Sequence, residues 1–265
     1  MTAIRVGIGG WVFAPWRGVL YPKGLVQAKE LAHASRQVTS IEINGTFYGS
    51  QKPASFRRWH EETPDDFVFS LKGPRFVTHR RALGEAGDSL KRFFDSGILE
   101  LREKLGPLLW QFPPSTVFDA GNFTDFIELL PGKLDSRAIR HVLEVRHESF
   151  LVPQFIELLR RHKLTVAFVD SEEHPAIGDV TGDFIYARLR RMAMEEPAGY
   201  SSRALGAWAK RFETWSKGGE PDDLPRHHPK PAPEKQPRDC FVYFINGAKV
   251  RAPAAAQALL QRLRE

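Results

Sequence analysis

Short apolar runs recur along this chain, and seven of them stop on a polar or charged residue. The runs 40–44, 67–72, 107–111 and 141–146 end on Asn44, Lys72, Gln111 and Arg146. The runs 164–170, 184–188 and 241–246 end on Asp170, Arg188 and Asn246. Each is short and β-rich, and helical stretches separate them, the pattern of a parallel α/β sheet. With the opening run 4–9, eight strands are expected, near residues 4, 40, 67, 107, 141, 164, 184 and 240. Helices are expected over 25–36, 53–61, 88–104, 122–130, 153–162, 201–217 and 252–263. Pro53 suits a first turn, Asn122 an N-cap and Pro131-Gly132 a stop. Eight strands with intervening helices predict a single (β/α)8 TIM-like barrel over residues 1–265, with an open doubly wound sheet as the alternative. In either fold the carboxyl ends of the strands carry the site.

Two segments depart from this pattern. Residues 171–183 are too few for a full helix between the sixth and seventh strands. Residues 217–239 hold two glycines, six prolines and many charges. That composition predicts a flexible surface insertion before the last strand, hung from the amino-terminal face of the barrel. His227-His228 within it reads as solvated.

Side chains alternate along a strand, so Glu42 and Asn44 share a direction, as do Glu144 and Arg146. Facing carboxylates suit acid/base work, which makes Glu42 and Glu144 the first catalytic candidates, with Asp170 on the sixth strand. The competing reading is an ion-pair network, Glu42 with Lys72 and Glu144 with Arg146 or Arg188, because a barrel interior tolerates only paired or solvated charge. Lys72 is a fourth catalytic candidate. It would form a Schiff base only with a lowered pKa, and the neighbouring acids are expected to keep it protonated. Lys72, Arg75, His79, Arg146, His147, Arg188 and Arg190 all lie at or just past strand ends. Arginine forks match carboxylate or phosphate, so these cations predict a small anionic substrate, such as a phosphorylated sugar or nucleotide fragment. Asn44, Gln111 and Asn246 would orient it. Trp11 and Tyr48, with Phe13, Trp16 and Phe47, would wall the pocket.

Glu42, Glu144, His147 and Asp170 could together offer oxygen and imidazole ligands to a divalent metal, yet no HxH, HExxH or clustered Cys/His spacing supports a site. No cofactor is therefore expected. Gly7-Ile-Gly9-Gly10 lacks the third glycine of a dinucleotide loop, Val12 standing in its place. These glycines instead let the backbone turn beside the pocket.

Composition changes this picture little. The net charge of +6 leans toward anionic partners and keeps nucleic-acid binding open as a second function, supported by the basic stretches 75–92 and 188–191. A single cysteine, Cys240, sits at the start of the last strand and reads as an inert core residue in a reducing compartment. No run approaches the roughly 20 apolar residues of a membrane span, and the amino terminus lacks the pattern of a signal peptide. A cytoplasmic protein with no membrane partner is expected.

Several of these residues also fall into longer motifs. Gly7-x-Gly9-Gly10-Trp11, Trp16-Arg17-Gly18 and Tyr21-Pro22 open the series, followed by Glu42-Ile-Asn44-Gly45-Thr46-Phe47-Tyr48. Lys72-Gly-Pro74-Arg75-Phe-Val-Thr78-His79, Gly106-Pro107, Gln111-Phe112-Pro113-Pro114, Glu144-Val-Arg146-His147-Glu-Ser149 and Asp170 continue it. In this order they resemble the family catalogued as domain of unknown function 72, over about residues 4 to 190 and again, weakly, from 240. The resemblance implies a TIM-like barrel with these polar residues around its mouth and no established reaction. It also implies two departures. Arg190-Arg191 stands where the family shows His-Gly, and Ile245 stands where it shows the first of two asparagines. A catalytic role for either missing residue would mean altered or lost activity in this chain, and the two departures suggest a non-catalytic metabolite-binding protein as a third reading.

Overall fold

The computed structural model describes residues 2–232 and 234–265. The runs become strands β1 (Ile4–Gly9), β2 (Ser40–Ile43), β3 (Val68–Lys72) and β4 (Leu105–Gln111). A two-residue hairpin follows, β5 (Lys133–Leu134) with β6 (Arg137–Ala138). Then come β7 (His141–Glu144), β8 (Thr165–Asp170), β9 (Phe184–Leu189) and β10 (Asp239–Phe244). Eight strands close in the order β1-β10-β9-β8-β7-β4-β3-β2, all pairs parallel. The chain is a single (β/α)8 barrel, and the open sheet is excluded.

Alternation along the strands sorts apolar residues into two cores. Leu109, Val142, Val169, Phe184, Phe241 and their neighbours fill the barrel interior. The opposite faces, with Ile41, Phe69, Trp110, Leu143, Phe168 and Val242 among them, pack beneath the helices. Helices form at Pro53–Glu62, Pro153–Arg161, Ser202–Ser216 and Ala252–Arg262, within a residue or two of expectation. No helix of the described residues is long and apolar enough to cross a membrane.

Three expectations about local structure need correction. The first helix is shorter than 25–36, a 3-10 turn at Gln27–Lys29 leading into Glu30–Ala34. The helix expected over 88–104 breaks in two, Gly87–Phe94 and a 3-10 segment Ile98–Lys104, because Gly97 takes φ +96 and reverses the chain between them. The helix after β4 starts at Ala120, and its cap is Asp119, whose Oδ1 accepts from Asn122 N at 2.7 Å. Asn122 sits inside the helix.

The described residues of the Pro-rich insertion form no helix or strand before Asp239, yet the insertion is tied to the barrel. Asp179 accepts from the backbone N–H groups of His227 and His228 at 2.7 and 3.1 Å, and Gly178 N donates to Pro225 O at 2.7 Å. Arg160 donates to His228 Nδ1 and to Lys230 O, each at 3.1 Å. Its two histidines thus serve as anchors where the composition suggests solvated ones. Pro233 lies outside the described residues.

Glycine at Gly7 lets the barrel close over its large interior side chains. A Cβ there would stand 2.1 Å from the Ser40 carbonyl oxygen and 3.1 Å from the Tyr243 ring. Backbone cannot yield to it cheaply, so Gly7→Ala is expected to destabilise the fold by about 3 kcal/mol, a fall in Tm of roughly 6–12 °C at this size. Calorimetry checks this; an unchanged Tm would mean that β1 and β2 can separate freely.

Candidate active site

The carboxyl ends of the strands open into a cavity of about 700 Å³. Its floor is built by interior-facing residues at the last turn of each strand. Arg188 on β9 lies between Glu42 on β2 and Glu144 on β7. Its Nε and Nη2 donate to Glu42 Oε2 and Oε1, each at 3.0 Å, and its Nη1 donates to Glu144 Oε2. Arg146 completes the set, donating from Nε to Glu144 Oε1 at 2.7 Å and from Nη2 to Gln111 Oε1 at 2.7 Å. Tyr186 donates its hydroxyl to Glu42 Oε2 at 2.7 Å. All four oxygens of the two glutamates are therefore occupied, and both residues are fully buried.

This packing sets the charges. Burial works against Arg188, but Glu144 and Glu42 outweigh it and hold the guanidinium above its ordinary value. Burial likewise works against Glu144, and Arg188 and Arg146 overcome it, holding the carboxyl at about 2. A carboxylate so saturated accepts no further proton near neutrality. The expected pair Glu42 with Lys72 does not form. Lys72 Nζ lies over the Phe47 ring, 3.8 Å from its centre, and no carboxylate oxygen of the described residues comes within 4 Å of it. The lysine is 6 % exposed, and its pKa falls to about 8, chiefly through burial and then through Arg188, against the pull of Glu42 and Glu144. At about 8 the amine is still mainly an ammonium ion at neutral pH, as expected, but its neutral fraction is far larger than that of an ordinary lysine because Arg188 has already taken those acids.

A second tier supports the floor. Ser40 and Ser70 lie two residues below Glu42 and Lys72, and Tyr186 and Tyr243 two below Arg188 and Ile245. Ser70 Oγ is 2.8 Å from the Tyr186 hydroxyl, and Ser40 Oγ is 2.7 Å from that of Tyr243. These four escaped the sequence reading, although the two-residue strand period points to them directly.

Trp11, Asn44, Tyr48, Lys72, His79, Gln111, Arg146, Arg188 and Asn246 line the cavity among the residues expected to do so. Lys249, Gln51 and Trp59 join them from the flanking loops and helices, where no strand-end signal marks them. Gly10, at φ +72, turns the chain beside the wall. Asn246, at φ +58, turns its amide oxygen to Arg190, Nη2 at 2.9 Å and Nε at 3.2 Å. Burial lowers the pKa of Lys249, and burial with Lys72 and Arg75 lowers that of His79. Among its described lining residues the cavity presents four cations, Lys72, Arg146, Arg188 and Lys249, and no carboxylate.

Several expected residues are not among those lining it: Phe13 and Trp16 pack in the outer core, and Arg190 is held by Asn246. Asp170 alternates to the outer face of β8, where it accepts from the Tyr200 hydroxyl at 2.8 Å and pairs with Arg191 Nε at 3.3 Å. Arg75 is exposed, its guanidinium over the Phe76 ring. His147 caps the 148–150 turn, Nδ1 accepting from Ser149 N at 3.2 Å. The four-residue metal set therefore does not converge. Among the described residues no three His, Cys, Asp or Glu side chains gather, and a guanidinium fills the space between Glu42 and Glu144 where a cation would sit.

Fold and site together define a (β/α)8 barrel with a cationic mouth over neutralised glutamates. The chain belongs to the DUF72 family, described as "Protein of unknown function DUF72", whose sequence model matches residues 5–265. It is 28 % identical over 148 residues to UPF0759 protein YecE of Escherichia coli K12, a match over 56 % of this chain and 50 % of that one. It is 29 % identical over 190 residues to UPF0759 protein YunF of Bacillus subtilis 168, over 66 % of this chain and 62 % of that one. The matches thus span half to three-fifths of these relatives. A crystal structure of a DUF72 family protein from Thermotoga maritima MSB8 superposes with a TM-score of 0.75 at 24 % identity, covering 99 % of this chain and 100 % of that one. That likeness establishes the fold.

Removing Arg188 would strand the buried Glu42 and leave Glu144 with Arg146 alone of its two guanidinium partners. Arg188→Met is expected to cost about 3–5 kcal/mol at pH 7. The pH dependence should invert as well. In the parent, Glu144 titrates at about 2 against an ordinary 4.5, so its contribution is present above 4.5 and is lost as pH falls through 2. In the variant a buried carboxylate is left without its counter-ion, burial favours its neutral form, and stability should rise on going from pH 7 to 5. Denaturant midpoints at the two pH values check this, and a variant that weakens on acidification like the parent would refute the assignment of Arg188 as the central counter-ion.

Proposed function

We propose that this barrel is an enzyme acting at its mouth on a small polar anion, a phosphorylated sugar- or nucleotide-like molecule, by proton-transfer chemistry. The observation that carries the reading is the cavity wall of four cations without a carboxylate. An anionic group would sit against the exposed edges of Arg146 and Arg188, with Lys249 across the opening. Gln111, Asn44 and Asn246 would orient its polar groups, and Trp11 and Tyr48 would pack on a ring. The acid/base role passes from Glu42 and Glu144 to Lys72, the cavity-floor group whose proton is exchangeable near neutral pH. The two glutamates become positioning residues, holding Arg188 and Arg146 in place.

A second reading, nucleic-acid binding, is favoured by one feature. A neighbouring cleft of about 600 Å³, lined by Arg80, Arg81, Ser115 and Thr116, shares His79 with the main cavity. It would accept a polyanion running across the mouth, with affinity falling steeply as salt rises.

Both readings are separated by titrating the protein with inorganic pyrophosphate, glucose 6-phosphate, glucose and a short single-stranded oligonucleotide. A bound anion at 100 times its Kd should stabilise the fold by about 2.7 kcal/mol and raise Tm by roughly 5–10 °C, while glucose should not. Lys72 is a cation below about 8 and loses its charge above it. Anion affinity should therefore fall roughly fivefold between pH 7 and 9.5, and binding near pH 8 should take up protons, seen calorimetrically as a buffer-dependent heat. Equal stabilisation by glucose and its phosphate would sink the anion reading, and preference for the oligonucleotide would favour the second.

A further inference from the structure

We propose that Lys72 is a nucleophile that forms a Schiff base with small anionic aldehydes or ketones. The proposal rests on the anion-binding reading of the cavity and goes beyond it by naming a carbonyl as the reacting group.

The geometry supplies what such a lysine needs. Its amine must be unpaired, shielded from water and held beside the place where an anion docks. Lys72 Nζ has no hydrogen-bond acceptor or carboxylate among the described residues, although it is nearly buried. Its backbone is locked, since its carbonyl accepts from Thr46 Oγ1 at 2.7 Å and the following Gly73 N donates to Leu109 O at 2.8 Å. The groups around it are Arg188, Glu42, Glu144 and Arg146 on the floor, Phe47 against Nζ and His79 beyond. Burial and then Arg188 outweigh the two acids, which are bonded to Arg188 and Arg146, so the ammonium is held less firmly than in an exposed lysine, with a pKa of about 8. The arginines would hold the carboxylate or phosphate of the carbonyl compound. His79 packs edge-on against the same Phe47 ring at 5.4 Å between centres, and partial burial with Lys72 and Arg75 lowers its pKa. It lines the same cavity and would carry a proton between Nζ and the carbonyl oxygen.

The step balances without any oxidant or reductant. The Nζ lone pair forms a bond to the carbonyl carbon, and the C=O π pair moves to oxygen. Oxygen takes a proton, nitrogen loses one, and the result is a carbinolamine. A second proton then reaches that oxygen, the C–O bond breaks to release water, and the nitrogen pair closes a C=N bond. The product is an iminium ion, which hydride reagents reduce to a stable secondary amine.

Trapping provides the test. The full chain is incubated at pH 7.5 with glyoxylate or with pyridoxal 5′-phosphate, reduced with cyanoborohydride, and mapped by peptide mass spectrometry. Lys72 should be modified at least about tenfold faster than exposed lysines such as Lys23 and Lys52, because a far larger fraction of its amine is neutral. Its rate should rise with pH through about 8 and then level. Lys72→Arg should remove only this adduct, and His79→Ala should slow it without abolishing it. Competing pyrophosphate should protect Lys72 and leave Lys23 unaffected. Modification spread evenly over the lysines overturns the proposal. If pyrophosphate still raises Tm in that case, the Schiff base alone has failed; if it does not, the anion reading has failed too.

Discussion

Arg188 is wedged between two glutamates that approach it from opposite walls of the barrel, and almost everything at the mouth follows from that contact. A guanidinium offers donors in a fixed plane, so one side grips Glu42 through two bonds while the other reaches Glu144. Two buried carboxylates without it would face each other across a low-dielectric interior, at a cost of several kcal/mol each. With it they are neutralised. Tyr186, Arg146 and Gln111 then use the remaining lone pairs, and Ser70, Ser40 and Tyr243 support the tyrosine tier from below. The network joins strands on opposite sides of the barrel, so it fixes the relative positions of β2, β4, β7 and β9 at the end where the cavity begins.

That same contact decides which residues face a ligand. The acids are drawn beneath the surface, and the outer edges of the arginines, with Lys72 and Lys249, make the wall. A chain of modest net charge thereby concentrates positive potential in one concave place, through the arrangement of a few side chains. The aromatic residues of the first two loops narrow the opening and lower the dielectric around it, which strengthens each of these charges.

The barrel was legible because its strands end abruptly on polar residues and its helices carry their own caps and stops. Alternation paired Glu42 with Asn44 and Glu144 with Arg146, and the strand-end positions of Lys72 and Arg188 put them at the same mouth. Parity also explains the clearest miss. Asp170 follows Val169, which points inward, so it must point outward, and counting from the apolar residues of β8 would have shown this. Arg75 and His147 lie past the strand ends, where loop conformation overrides periodicity. Lys249 reaches the cavity through a turn at Asn246 and Gly247, both at positive φ, which no strand pattern reveals. The break at Gly97 and the tethered insertion were hidden for a related reason. Both depend on tertiary partners, a left-handed glycine turning one segment back and Asp179 with Arg160 holding the other.

The sequence alone placed the carboxylates ahead of the lysine as candidates, and it is their partners in the fold that set their charges apart. Glu144 and Lys72 are both nearly inaccessible to solvent, and burial pushes each toward its neutral form. Their neighbours then send them opposite ways. Two guanidiniums bonded to Glu144 overcome its desolvation and lock it as an anion far below neutrality, whereas Lys72 finds those carboxylates occupied and the nearest strong charge, Arg188, of its own sign. One arginine thus binds both acids and leaves the amine without a carboxylate partner among the described residues. The ionic network and the lowered pKa of Lys72 both depend on that placement, so a substitution that frees the glutamates would also move Lys72 back toward its ordinary pKa.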